Sequence, residues 1–425
     1  MLNDEQKMIF YGAIQLKTKM LSNKKNKEGS AFFYGVILIV FLMMTQSAIA
    51  SDETKILQKA TESPLSVSAK PSVGVYYYPW YRGDGSRSWF RRNRWRRSMR
   101  LHLKNPQKPK SGLYDSRDPK VIADHIEQSV RGGISFWAVS WWGPGEDTDD
   151  TFKNKILKHP DSSKLKYAIL YESTGRLGRF SRPNYKRWIS DLEYLKKNYF
   201  DDPRYLNING RPVIFVYLSR EYFRNKGQNA LKQMRDKFPE IYLVGDDVFY
   251  GDGITEYKAE WARNFDAVTA YDVYGQSIGK LGGTRKAVEF LANNYRQAKK
   301  AANSVGTAFM PAIAPGYNDT AARKGHPGRA RYFTDVENSK EGDIFREMLR
   351  KAALPNIDPS CDNIIMVTSF NEWYEDSQIE ATAGTSPASS TDDSKSGTYY
   401  TGGQRYVDYG YLYLDILKEE IPESK

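Results

Sequence analysis

The sequence predicts an α/β protein built as a single (β/α)8 barrel, the TIM-barrel arrangement, behind an N-terminal export segment. Three observations predict it. Eight short apolar runs alternate with helix-like stretches over about 350 residues, as strands feeding crossover helices do. Each run is uniformly apolar rather than alternating, the pattern of strands covered on both faces. The residues that end these runs are carboxylates and aromatic rings, and barrels of this class build their sites at the C-terminal ends of the strands. A doubly wound open sheet is the other topology that the alternation allows.

Residues 1–30 form a basic tail in which Lys17, Lys19, Lys24, Lys25 and Lys27 provide a cytoplasmic positive flank. Residues 31–50, AFFYGVILIVFLMMTQSAIA, are long enough to cross ~30 Å of hydrocarbon as a helix. Two readings stand side by side. Ala48-Ile49-Ala50 is a small-x-small cleavage site, so the segment reads as a signal peptide cut after Ala50, most simply if translation starts at Met20. Uncleaved, it reads as a signal anchor. Both place the body in the secretory pathway, as a single-pass type II membrane protein of Golgi-like placement or as a secreted or periplasmic one. Residues 51–72, rich in Ser, Thr, Lys and Pro, read as a stem ahead of a catalytic domain at 73–421.

In that domain the strand candidates are Val73–Tyr78, Ile134–Trp141, Leu165–Tyr171, Val213–Leu218, Ile241–Gly245, Ala267–Tyr271, Ala308–Ile313 and Ile364–Ser369. The clearest helix runs from Pro119 to Arg131, with Asp118 as N-cap, Pro119 at the first position and Gly132-Gly133 as terminator. Further helices are expected at Tyr185–Phe200, Ala230–Phe238, Thr284–Ala302, Gly342–Ala353 and Tyr411–Glu420, with weaker pieces at Phe152–Leu157 and Glu256–Arg263. Ala381–Gly403, rich in Ser, Thr and Gly, reads as a floppy loop before the last helix.

Composition removes several chemistries. Cys361 is the only cysteine, which excludes an internal disulfide and a cysteine-rich zinc site. Four scattered histidines (102, 125, 159, 326) are poor material for a metal centre, and neither GxGxxG nor GxxxxGK[ST] occurs. No metal or cofactor is expected. Catalysis falls to carboxylates, hydroxyls or phenols. The net charge of +12 is local: Arg82–Lys110 holds eleven Lys/Arg against Asp84 alone. Export of the body argues against nucleic acid as the partner; a glycan is expected, with the membrane touched only through an uncleaved 31–50 segment and the body monomeric.

The strand-end positions are Tyr77, Tyr78, Trp80 and Tyr81; Trp141 and Trp142; Glu172; Tyr217; Asp246 and Asp247; Tyr271, Asp272 and Tyr274; Tyr317 and Asp319; and Asn371, Glu372, Trp373, Tyr374 and Glu375. Aromatic faces stack on the C–H faces of sugar rings, and paired carboxylates cleave glycosidic bonds as acid and base. Single Tyr or Trp residues at strand ends also plug a barrel mouth, but a plug has no use for acids. The sharpest motif is Ser369-Phe370-Asn371-Glu372-Trp373-Tyr374-Glu375. Two carboxylates three residues apart on a loop converge on one bond, and a like charge or apolar wall keeps one of them protonated.

The stretch SFNEWYEDSQIE resembles the SFNEWHEGTQIE signature of glycoside hydrolase family 99, the endo-α-1,2-mannosidases and endomannanases. Family-like stretches follow in order: Tyr77-Tyr78-Pro79-Trp80-Tyr81, Ser116-Arg117-Asp118-Pro119, Ser140-Trp141-Trp142, Gly210-Arg211-Pro212, Phe265-Asp266-Ala267, and Pro315-Gly316-Tyr317 before Asp319-Thr320. The resemblance implies a retaining endo-glycosidase on a (β/α)8 barrel with no cofactor, acting on α-mannosidic, typically α-1,2, linkages. It implies that Glu372 is the base on the substrate's 2-hydroxyl and Glu375 the acid on the leaving oxygen, through a 1,2-anhydro sugar. An axial O2 anti to an axial leaving group suits α-mannosides. Tyr78, Trp142, Glu172, Tyr271 and Tyr317 match the sugar-binding shell, and Tyr77, Trp80, Trp141, Asn371, Trp373 and Tyr374 are added to it from their strand-end positions.

Departures from the family pattern bear on the substrate. Tyr374 stands where the family has His, and Asp376 where it has Gly. Leu170-Tyr171-Glu172-Ser173-Thr174 replaces His-Ile-Glu-Pro-Tyr and keeps only the acid. Asp376 is expected to shift the pair's titration or to face solvent. Asn318-Asp319-Thr320 is also a glycosylation sequon, but one set in a site loop. The basic run follows the first strand and so belongs to the substrate face; Arg91, Arg92, Arg94, Arg96 and Arg97 suggest an anionic glycan, and Trp89 and Trp95, interleaved with the arginines, are expected to stack on its sugar rings. Neutralisation by Glu146, Asp147, Asp149 and Asp150 is the other use for these cations. A tethered carbohydrate-binding protein without turnover, or an endo-glycosidase for another α-linked polysaccharide, are the alternative functions.

Overall fold

The computed structural model describes residues 70–83, 94–223, 227–247 and 256–421. The basic tail, the signal or anchor segment and the stem up to residue 69 lie outside the described residues, as do Trp89, Arg91, Arg92 and the side chain of Arg94. No helix among the described residues is long and apolar enough to cross a membrane.

Ten strands form among the described residues: β1 (Ser72–Tyr77), β2 (Ile134–Trp141), β3 (Lys166–Tyr171), β4 (Asn207–Ile208), β5 (Arg211–Val216), β6 (Tyr242–Asp246), β7 (Ala267–Thr269), β8 (Ala308–Phe309), β9 (Ala312–Ile313) and β10 (Ile364–Val367). They pair in the order β8-β7-β6-β5-β3-β2-β1-β10-β9, all parallel. The two ends of that order, β8 and β9, are halves of one predicted strand. Pro311, lacking an N–H, interrupts the ladder between them. Ala308–Phe309 pairs with β7 while Ala312–Ile313 pairs with β10. The segment continues the contacts through the break, with Met310 N donating to Val268 O and Met366 N to Pro311 O, each at 2.9 Å. The parallel sheet therefore curls back on itself, consistent with a (β/α)8 barrel.

One strand was not expected. β4 pairs antiparallel with β5 across Asn209-Gly210, both with positive φ (52° and 72°), the backbone of a type I′ hairpin that Asn-Gly favours. The Pro119–Arg131 helix has the predicted bounds, and its Asp118 cap accepts from Lys120 N. The helix expected at Tyr185–Phe200 is α-helical to Leu195 and loosens into a π-turn at Lys196–Phe200. Gly342–Ala353 divides in the same way after Glu347. Gln228–Lys237, Arg285–Ser304 (capped by Thr284) and Leu412–Glu420 complete the longer helices among the described residues.

Side chains two apart along a strand share a face, and that parity organises the core. Gly74, Tyr76 and Tyr78 share one face with Phe136, Ser140 and Trp142. On that face Phe136 packs against Phe215 at 6.0 Å between centroids. Tyr77 and Trp137 share the other, stacked at 3.9 Å and 1°. Gly74 lies opposite Phe136 in the β1–β2 register, where a Cβ would come within 2.1 Å of the Phe136 ring. Glycine here makes room for an aromatic interior.

Ala381–Gly403 is not a floppy loop. It bridges the chain that follows β1 through Leu103↔Asp392 and Pro109↔Thr382. The Asp392 carboxylate accepts from the backbone of Ser394, Tyr400 and Thr401. Short polar side chains that bond nearby backbone amides replace the ladder that the composition does not offer.

Candidate active site

The site is built on the loop after β10. At its start Ser369 accepts from Glu372 N at 2.7 Å and faces Ser377 Oγ at 3.1 Å. Glu375 N and Ser377 N both return to Glu372 O at 3.3 Å. This turn holds Glu372 and Glu375 side by side. Glu372 is buried, and its Oε1 accepts from Tyr374 N at 2.9 Å. Glu375 keeps 13% of its side chain exposed; Oε1 accepts from Arg323 at 2.9 Å and Oε2 from the Tyr271 hydroxyl at 3.3 Å. Burial pushes the Glu375 carboxyl above the usual glutamate range; Arg323 opposes that shift and Asp319 adds to it.

Three carboxylates share one space with a set of phenols. Tyr78 and Tyr271 are joined hydroxyl to hydroxyl at 2.5 Å. Burial raises the Tyr78 phenol first, then the fields of Glu172, Glu372 and Glu375. Burial, Glu375 and Glu172 raise Tyr217 in the same direction. These phenols stay protonated, and Tyr271 donates to Glu375. Ser140 donates to Glu172 Oε1 at 2.6 Å, and the Trp142 indole N–H donates to Ser140 at 3.0 Å. Beside them Trp80, Trp142 and Tyr374 form a half-buried aromatic wall, with Trp80 on Tyr374 at 5.7 Å and 26° and on Trp142 at 6.1 Å. Tyr317 is half-buried, and its phenol is raised by burial and by Glu375 and Asp319.

Of the residues expected on the sugar-facing surface, Tyr78, Trp80, Trp142, Glu172, Tyr271, Tyr317, Tyr374 and the two acids are brought together. Tyr77 and Trp141 are not. Both are fully buried on the outer face of the sheet: the Tyr77 hydroxyl meets His125 at 2.9 Å and Trp141 donates to Asp149 at 2.7 Å. The pleat lets only one of two consecutive strand-end residues point inward, and Tyr78 and Trp142 take those places. Asn371 and Trp373 are buried and hold the loop. Asn371 accepts from Tyr78 N at 2.7 Å and donates to Tyr78 O at 3.0 Å. Trp373 donates to the buried Glu380 at 2.8 Å, which also meets His125 and Tyr114.

Asp376 neither faces solvent nor joins the pair. It is buried, with φ +47°, between Arg100 at 2.6 Å and Arg331 at 3.3 Å. Burial alone would raise this carboxyl; the two guanidiniums more than offset that and hold it below the usual aspartate range. Asn318 is buried, with its amide donated to Tyr400 O and the Tyr406 hydroxyl, which leaves no place for a glycan. The sequence does not show the roles of two contributors. Arg323 has no distinguishing sequence signal beyond standing four residues after Asp319, to which it also bonds at 2.8 Å. Asp246 was read as a rim acid but positions Tyr271 by accepting its N–H at 2.9 Å while paired with Arg220.

Among the described residues no three His, Cys, Asp or Glu side chains gather as a metal would require. A cleft of about 680 Å³ lined by Arg211, Arg235, Tyr242 and Ala308 opens where strands β5, β6 and β8 begin, at the end opposite to the acids.

Residues 70–399 match the family model described as Glycosyl hydrolase family 99. The chain belongs to that family. Among the family's curated members, the glycoprotein endo-alpha-1,2-mannosidase of Xenopus laevis is 27% identical over 282 residues, covering 64% of this chain and 58% of the frog protein. The Rattus norvegicus protein of the same name is 25% identical over 327 residues, 73% of this chain and 62% of its own. This chain thus spans about three fifths of the length of those relatives. In fold it is similar to the GH99 endo-alpha-mannosidase from Bacteroides thetaiotaomicron, with a TM-score of 0.54 at 19% identity over 84% of this chain and 100% of that one. A structure titled glycoside hydrolase-like protein gives 0.57 at 17% identity over 85% and 98%.

Proposed function

We propose that the protein is an endo-acting, retaining glycoside hydrolase that cleaves α-mannosidic linkages in a glycan or mannan. The observation that carries this reading is the Glu372–Glu375 pair on one tight turn, facing Glu172 and the Tyr78–Tyr271 phenols, in a family 99 chain. Glu372 removes the proton from the substrate's 2-hydroxyl. O2 attacks C1 as the C1–O bond to the leaving sugar breaks, and Glu375 gives its proton to the departing oxygen. The 1,2-anhydro sugar is opened at C1 by water, whose proton goes to Glu375 while Glu372 returns a proton to O2. Two inversions at C1 make net retention. Burial favours the protonated Glu375 needed for the first step, and Arg323 stabilises the carboxylate that the step leaves behind. Trp80, Trp142, Tyr374 and Tyr317 are the sugar-stacking surfaces, with Glu172, Tyr78 and Tyr271 as hydrogen-bonding partners. The basic run favours an anionic glycan, and the 31–50 segment favours export or a membrane anchor.

Kinetics on a panel of α-linked mannan oligosaccharides test this. Glu372→Gln and Glu375→Gln should each lower turnover by ~10²–10⁴-fold with the fold intact by circular dichroism. NMR of the first-formed anomer should show retention, and a 2-deoxy or 2-O-methyl substrate should not be cleaved. Near-native turnover by either variant, an inverted product, or normal cleavage of the 2-deoxy sugar would remove the mechanism. A carbohydrate-binding protein without turnover would bind the same panel and release nothing.

A further inference from the structure

The eleven cations of the basic run are not all alike once folded. Those drawn into the protein are matched with acids. Arg82 is buried and pairs with Asp115 and Asp147, each at 3.2 Å. Arg100 is fully buried against Asp376, and Lys110 meets Asp124 at 2.6 Å. Neutralisation by acids elsewhere in the fold therefore accounts for these three. It does not account for Arg96 and Arg97, which are exposed and make no ion pair with any described residue. They are not loosely held. Trp95 between Arg94 and Arg96 is 1% exposed, stacked on Tyr81 at 4.2 Å, and donates to Tyr114 O at 3.2 Å. Trp95 is thus an anchor in the core rather than a sugar-stacking ring, and it fixes the short helical turn Arg94–Arg97 on the rim.

From that turn the Arg97 guanidinium stands over the Tyr374 ring at 6.0 Å. The same ring stacks on Trp80, and the Tyr374 N–H bonds the carboxylate of Glu372. A cation is therefore held one side chain away from Glu372, over Tyr374, the residue that replaces the family's His. At 6.0 Å the guanidinium is at the outer reach of a cation–π contact, which leaves its N–H edges able to donate, the groups that bind an oxyanion in two hydrogen bonds.

We propose that Arg97 and Tyr374, with Trp80, form a subsite for a sugar bearing an anionic substituent, a sulfate, phosphate or carboxylate. The sugar ring lies on the aromatic wall and the oxyanion on Arg97; Arg96 contributes long-range attraction. This deepens the glycosidase reading and rests on it for the placement of the scissile bond.

The test uses matched α-mannan oligosaccharides that are neutral, sulfated, phosphorylated or uronate-bearing. Hydrolysis is measured at low and high salt for the native chain and for Arg97→Gln. Calorimetric binding of the same ligands is measured for Glu372→Gln, alone and combined with Arg97→Gln. The ratio of kcat/KM for charged over neutral ligand should exceed one at low salt, shrink at high salt, and fall about tenfold in Arg97→Gln. A preference for sulfate and phosphate alone assigns a tetrahedral oxyanion, and one for uronate alone a carboxylate; both support the subsite. Cleavage with no charge preference, or a preference that Arg97→Gln leaves unchanged, overturns the subsite and spares the glycosidase. No cleavage of any ligand, with charged ligands still bound tighter through Arg97, overturns the glycosidase and supports the subsite. Salt-sensitive binding of single-stranded RNA without preference among glycans overturns the glycan assignment.

Discussion

Arg323 sets the working range of Glu375, the acid of the proposed mechanism. Burial raises the Glu375 carboxyl, and the guanidinium at 2.9 Å pulls it back. The proton donor must be charged with its proton before the leaving group departs, so activity falls as pH rises through the Glu375 titration and kcat has its alkaline limb there. Arg323→Gln removes the opposing cation. The limb should then move to higher pH, by a step that solvent screening keeps modest because Arg323 is half exposed. The pH dependence of kcat measured with and without the substitution decides it. A limb displaced to lower pH would mean that Glu375 is not the donor. The same linkage acts on stability: a carboxyl raised by folding contributes stability that is full below its unfolded value and is lost as pH rises through the folded one.

At the level of the strand, pleat parity separates what could be read in advance from what could not. Apolar runs located all eight parallel strands, because burial on both faces leaves an unmistakable composition. They did not say which end residue points inward, so Tyr77 and Trp141 looked as suitable as Tyr78 and Trp142. Register decides that, and register is a property of paired strands. The candidate-site loop is legible because its two acids lie three residues apart; Arg323 is not, because its contact to Glu375 joins residues 52 apart. Gly74 gives the parity argument a direct test. Gly74→Ala would push a methyl to within 2.1 Å of the Phe136 ring, and overpacking of this kind costs about 1–3 kcal/mol. Urea denaturation should show that loss, and adding Phe136→Leu should recover part of it. A neutral Gly74→Ala would mean that Phe136 does not occupy this face.

Across the whole molecule, the face that carries the candidate site is tied together by a buried group of four charges. Arg100 follows β1, Arg331 and Glu341 follow β9, and Asp376 follows Glu375. Asp376 contacts Arg100 at 2.6 Å and Arg331 at 3.3 Å, and Glu341 meets the same two cations at 3.7 and 3.8 Å. Two cations and two anions balance, which is what makes burial tolerable. Arg331 also donates to the backbone of Asp376 at 2.6 Å and of Gln378 at 3.0 Å, so the cluster sets the path of the loop as well as its charge. The positive φ at Asp376 suits glycine, and aspartate is among the few other residues that accept it. The side chain is therefore kept for its partners. Asp376→Asn retains the shape but leaves two buried guanidiniums against one acid, and should cost about 3–5 kcal/mol and lower kcat through the displaced Glu375. Adding Arg100→Met restores a one-to-one balance between Arg331 and Glu341, so the double variant should be more stable than Asp376→Asn alone, the non-additivity expected of groups in contact. The sign with pH follows from the depressed carboxyl: its stabilisation is full above the usual aspartate value of 3.8 and is lost as pH falls through the lower folded value. Denaturation of native and Asp376→Asn chains should therefore converge in acid, and a gap that persisted there would show that the cost is steric rather than electrostatic.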